Sequence, residues 1–133
     1  MKWFKFNQNN SGGSFDVDDK VCHRLFIEAE LFSDAVEKAE ELGCYWDGVD
    51  KGVDCPCCGD RWDKWNDDPI DIEQYKTEGY ESVNGKIYFD NIEEYAQYLA
   101  DNYGWTTPDA RIYYDDGSVK EIFSSKPKRY IRF

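Results

Sequence analysis

Residues 20–43 read KVCHRLFIEAELFSDAVEKAEELG, and this stretch decides the fold class. Its first part, Lys20 to Ala29, carries Val21, Leu25, Phe26 and Ile27 and predicts a strand rich in β-branched and aromatic side chains. Its second part switches period. Val36, Ala39 and Leu42 keep helical spacing with Ala35 beside them, and Glu37, Lys38, Glu40 and Glu41 form a polar face. Ser33 is the predicted N-cap and Gly43 the C-terminal stop. A strand followed directly by an amphipathic helix points to an α+β domain.

Working outward, the same patterns recur. Lys2 to Gln8 alternates and predicts a strand that forms a hairpin with Lys20–Ala29 across the polar turn Asn9–Ser14. Ile70 to Tyr75 and Gly79 to Phe89 predict short strands, with Asn84-Gly85 as a hairpin turn. Asn91 caps a second helix that ends at Gly104 and places Ile92, Tyr95, Ala96 and Leu99 on one face. Arg111–Tyr114 and Val119–Phe123 flank the turn Asp115-Asp116-Gly117-Ser118, and Arg129–Phe133 predicts a last strand. The expected architecture is one small, mostly antiparallel sheet with two helices, in a single domain over 1–133. Residues 47–69 have turn signals and no periodicity. A loop that long in a compact domain needs something to organise it.

The five cysteines supply a candidate. Cys55-Pro56-Cys57-Cys58-Gly59 has the Cys-x-x-Cys spacing of a zinc knuckle. Two thiolates three residues apart in a tight turn reach one tetrahedral Zn²⁺ at about 2.3 Å. Pro56 presets the turn, and Gly59 permits a positive φ after the second ligand. A closed site needs four ligands, so His23 and Cys44 are the predicted partners of Cys55 and Cys58, with Cys57 and Cys22 as alternates. An odd number of cysteines argues against a disulfide framework. Reduced, packed cysteines and a redox pair are the competing readings. The strand-to-helix setting of redox motifs is absent here.

Charge and composition narrow the function classes. The 133 residues carry a formal net charge of −12, and residues 28–101 hold 21 of the 28 acidic and 6 of the 16 basic residues. Such a surface disfavours direct DNA or RNA binding, which needs clustered Lys and Arg. It suits solubility, mimicry of nucleic-acid charge or docking on a basic protein. No run approaches the roughly 20 apolar residues of a membrane span, and Met1–Asn7 lacks the apolar core of a secretory signal. A cytoplasmic protein is expected.

Asp60, Asp63, Asp67, Asp68 and Asp71 meet no calcium-loop spacing, and there is no readable nucleophile–histidine–acid set. Trp46, Trp62 and Trp65 surround the cysteine turn, either as core or as an aromatic binding surface, and Arg61 beside them is positioned to meet a phosphate or carboxylate. The basic end, Lys126, Lys128, Arg129 and Arg132, is a further source of phosphate contacts.

Three runs, Asn9-Asn10-Ser11-Gly12-Gly13-Ser14-Phe15, Phe26-Ile27-Glu28-Ala29-Glu30 and Asp54-Cys55-Pro56-Cys57-Cys58-Gly59-Asp60-Arg61-Trp62, together resemble a family of small, uncharacterised proteins of tailed bacteriophages. The Cys-Cys-Gly-Asp-Arg-Trp portion is the specific part. The resemblance implies expression in an infected bacterial cytoplasm and carries over no catalytic residue. By analogy with small phage proteins, the expected role is non-enzymatic: binding a host protein or a small nucleotide signal and inhibiting a host defence or regulatory factor. A thiol-redox or hydrolytic enzyme and a virion assembly protein are the alternatives.

Overall fold

The computed structural model describes residues 1–65 and 67–125. Strands β1 (Lys2–Asn7), β2 (Arg24–Ala29), β5 (Ala110–Tyr113) and β6 (Val119–Ile122) form one sheet in the order β1-β2-β5-β6. The β1/β2 and β5/β6 pairs are antiparallel and the central β2/β5 pair is parallel. Strands β3 (Tyr80–Ser82) and β4 (Gly85–Ile87) make a separate hairpin on the predicted Asn84-Gly85 turn. The helices are α1 (Phe32–Leu42), α2 (Ile72–Thr77) and α3 (Ile92–Tyr103). The α+β class stands, with three helices where the sequence predicts two. The predicted strand Arg129–Phe133 lies outside the described residues.

Side-chain alternation splits the core into two layers on opposite faces of the sheet. Phe4, Phe6, Leu25, Ile27 and Tyr113 face α1 through Ala35, Ala39 and Leu42. Phe26, Ala110, Ile112 and Ile122 face α3 through Ile92, Tyr95, Ala96 and Leu99. The register serves this: Phe4 pairs with Ile27 and Phe6 with Leu25, while Phe26 pairs with Ile112. β2 and β5 are buried on both faces, as expected of central strands.

Three local readings are corrected. The strand predicted from Lys20 begins only at Arg24, because the chain before it turns aside to bond the 106–109 segment: His23 N–H donates to Thr106 Oγ1 at 3.2 Å and Arg24 N–H to Asp109 O at 3.0 Å. Helix α1 starts at Phe32 with Leu31 in the cap position and no side-chain cap bond, so Ser33 is inside the first turn. Packing outweighs capping there: the Phe32 ring lies 5.5 Å from Phe4 and 6.1 Å from Phe6. Ile70–Tyr75 is not a strand. Ile70 makes one bridge to Trp3, then Asp71 caps α2 by accepting from Gln74 N–H at 3.1 Å. Asp71 with Gln74 three residues later is a capping signature that outweighs a short apolar run. By contrast, Asn91 caps α3 as expected, accepting from Glu94 N–H at 3.0 Å, and Gly43 closes α1 at φ 119°.

Candidate metal centre and its aromatic groove

Residues 44–65 leave α1 and cross the α1 face of the sheet without regular secondary structure. Their order comes from buried polar bonds. Asp54 is the hub: its carboxylate accepts from Tyr45 OH at 2.7 Å and from Arg61 N–H at 2.8 Å. The 53–54 backbone folds back so that both N–H groups donate to Gly48 O, at 2.9 and 3.0 Å. A Cβ at position 48 would sit 1.8 Å from an Asp54 oxygen, so only glycine fits.

The cysteine turn is clamped from the other side by residues 8–16. Ser11 Oγ accepts from Cys55 N–H at 3.0 Å, and Asn9 Nδ2 donates to Cys58 O at 2.7 Å. Arg61 reaches back to the same segment, donating to Ser14 O at 2.7 Å, Ser11 O at 2.8 Å and Gln8 Oε1 at 3.0 Å. Within the turn, Gly59 N–H donates to Cys55 O at 3.0 Å and Gly59 takes φ 92°, the positive value predicted for it.

This brings Cys55, Cys57 and Cys58 together with their three sulfurs within 4.8 Å of one another. The Cys55–Cys57 and Cys57–Cys58 sulfurs are 3.0 and 4.0 Å apart. Sulfurs on a tetrahedral ion with bonds of about 2.3 Å would be about 3.8 Å apart, so the trio can hold a metal ion with small side-chain adjustments. Thiolate donors suit a soft or borderline cation. The protonation pattern favours such a role. Hydrogen bonds from the Cys57 and Cys58 side chains, then from their backbone N–H groups, lower Cys55 from the ordinary thiol value to about 7. Cys57, hydrogen-bonded with Cys55 and Cys58 and close to both sulfurs, rises to about 11.

The other predicted ligands are elsewhere. Cys22 and Cys44 are buried in the α1-side core, where desolvation pushes each up to about 12. His23 is buried with Nδ1 2.8 Å from Asp109 Oδ1. The structure thus brings Cys57, an alternate in the sequence reading, together with Cys55 and Cys58, and places His23, Cys44 and Cys22 outside that cluster. Among the described residues this trio is the only cluster of metal-ligating side chains. Alkylation should report the difference. Iodoacetamide at pH 7 on metal-free protein is expected to label Cys55 first and to reach Cys22 and Cys44 only on unfolding. Equal rates at all five would overturn this assignment of the thiolate.

The predicted binding surface also divides. Trp62 is 1% exposed and Trp46 is buried, its Nε1 donating to Glu40 at 2.6 Å. Trp65 is 81% exposed. Arg61 is turned inward and spends its guanidinium on the chain's own acceptors, so it is a clamp and not a presented cation. A groove of about 440 Å³ opens beside the turn, floored by Phe32, Val36, Trp46 and Trp62 and bordered by Trp65 and three aspartates, Asp47, Asp60 and Asp63. Lys64 lies over the Trp46 ring at 5.6 Å from its centroid.

The residues the sequence reading missed are Asn9, Ser11, Gln8 and Asp54. The signal for Asn9, Ser11 and Asp54 was present: the runs Asn9–Phe15 and Asp54–Trp62, singled out together by the resemblance, are the two segments that hold each other.

Fold and site define a small α+β domain that carries a three-cysteine surface turn. The chain belongs to the family DUF7296, a domain of unknown function, whose model matches residues 1–129. No curated protein and no solved structure matches it. Among the described residues no helix is long and apolar enough to cross a membrane.

Proposed function

We propose that this is a non-enzymatic binding protein of a bacteriophage that acts in the cytoplasm of the infected bacterium, engaging a basic host protein and inhibiting a defence or regulatory factor. One observation carries this reading: an apolar groove with an exposed tryptophan at its edge and carboxylates on its border. Apolar grooves with aromatic anchors concentrate binding energy, and the acidic border selects a partner with Lys or Arg beside an apolar side chain. The acidity of residues 28–101 extends the same field over a wider surface. A sequestered nucleotide is the weaker reading, because Arg61, its intended phosphate ligand, is already paired.

Zn²⁺ is the metal we assign to Cys55, Cys57 and Cys58, on the strength of the all-sulfur donor set. Its role is to hold the turn that leads into Asp60 and Trp62 on the groove wall. Elemental analysis should then find about one zinc per chain, and a Cys55→Ser/Cys58→Ser variant should carry none.

The docking claim has a direct test. A host protein retained by the immobilised chain is titrated calorimetrically against wild type and Trp65→Ala. The loss expected is about 2 kcal/mol, roughly 30-fold in Kd, with weaker binding at high salt. A basic partner that binds both forms within about twofold would place the contact elsewhere.

A further inference from the structure

The three sulfurs have a consequence beyond holding the loop. Zn²⁺ in a structural site is closed by four protein ligands, whereas three leave one position for an outside group. Here the turn offers three. Cys57 and Cys58 are exposed and Cys55 is half-buried, so the side of the site away from the turn opens to solvent. Among the described residues no fourth Cys, His, Asp or Glu places a ligand atom within 4.8 Å of all three sulfurs. Ser11 Oγ already accepts from Cys55 N–H, and Asp60 Oδ1 from Val49 N–H at 2.9 Å. The buried cysteines lie in the core, and His23 is held by Asp109.

We propose that the metal at Cys55, Cys57 and Cys58 keeps its fourth coordination position free at the protein surface, and that this position takes a thiolate sulfur from outside the chain. The inference rests on the metal assignment above and adds a way of using it. A thiol from outside the chain would then complete the tetrahedron. Coordination is a ligand exchange: the incoming thiol loses its proton to solvent, the thiolate donates an electron pair to Zn²⁺, and the bound water leaves, with no change in oxidation state.

X-ray absorption on the zinc-loaded full chain tests this, with 2-mercaptoethanol as the probe thiol. The expected count is three sulfurs at about 2.3 Å and one lighter donor at about 2.0–2.1 Å, changing to four sulfurs when the thiol is added. In Cys57→Ser the count before addition should fall from three to two. Four protein donors before addition, or a count that the thiol leaves unchanged, would overturn the open position while leaving the zinc assignment intact. Failure of the chain to take up zinc at all would overturn both.

Discussion

Replacing Asp109 by asparagine is expected to cost about 3–5 kcal/mol of folding stability, the range for removing one partner of a buried ion pair. Asp109 is 0% exposed and both of its oxygens are occupied. Oδ2 accepts from the Arg24 guanidinium, and Oδ1 faces His23 Nδ1 at 2.8 Å and accepts from Trp105 N–H at 2.9 Å. An asparagine amide cannot satisfy both sides. Its NH₂ either meets the Arg24 donors or displaces the bonds at Oδ1. In both cases the buried Arg24 loses its counter-charge, and in the first it also loses its acceptor at position 109, leaving its bond to Tyr103 O at 3.1 Å. Since Arg24 begins β2 and Asp109 precedes β5, the damage falls on the parallel pair at the centre of the sheet. Urea unfolding measures it, and a loss below about 1 kcal/mol would refute the assignment.

The same pair sets a pH dependence. Burial acts to raise the Asp109 pKa, but the hydrogen bond with His23 and the Arg24 charge more than reverse this, so the net direction is down. A depressed carboxyl contributes stability that is fully present above its unfolded pKa of about 3.9 and is lost as pH falls through the folded value. The gap between wild type and Asp109→Asn should therefore be widest near neutrality and narrow below about pH 4.

These interactions explain what could be read in the sequence and what could not. Strands, hairpin turns and α3 were legible because their signals are local: alternation in Lys2–Asn7, Asn84-Gly85, and Asn91 before an apolar stripe. The membership of the cysteine cluster was not. His23 looked available because Cys22 stands beside it, yet its fate is decided by Asp109, 86 residues away. Arg61 looked presented because Trp62 follows it, yet its acceptors lie about 50 residues earlier in the chain. A side chain's exposure depends on such distant partners, and neither spacing nor composition records them. Pairing of Asn9–Phe15 with Asp54–Trp62 is the one long-range contact whose two halves were already marked in the sequence.

Trp62 and Trp65 bring the distinction to an experiment. They are three residues apart in the same loop, one 1% and the other 81% exposed. Trp62 lies in the α1-side core with Phe4, Phe6 and Trp46 and brings the stretch that follows the cysteine turn into it, as Trp46 does for the stretch before. Trp62→Ala removes that anchor and leaves a cavity, at a cost of about 3–5 kcal/mol. The loss should reach the cysteine turn as well, because Arg61 is adjacent and its bonds to Ser11 and Ser14 depend on where the loop sits. Trp62→Phe keeps a ring in the site and should recover part of the stability. Trp65→Ala should stay within about 0.5 kcal/mol of wild type in the same urea titration, since it removes no buried contact. If Trp62→Ala unfolded within about 1 kcal/mol of wild type, the loop would not be anchored through the core. If Trp65→Ala proved equally damaging, its exposed ring would belong to folding, and a weakened partner complex could no longer be read as a lost contact. With the two separated, the tryptophan that builds the groove and the tryptophan that offers it to a partner can be assigned independently.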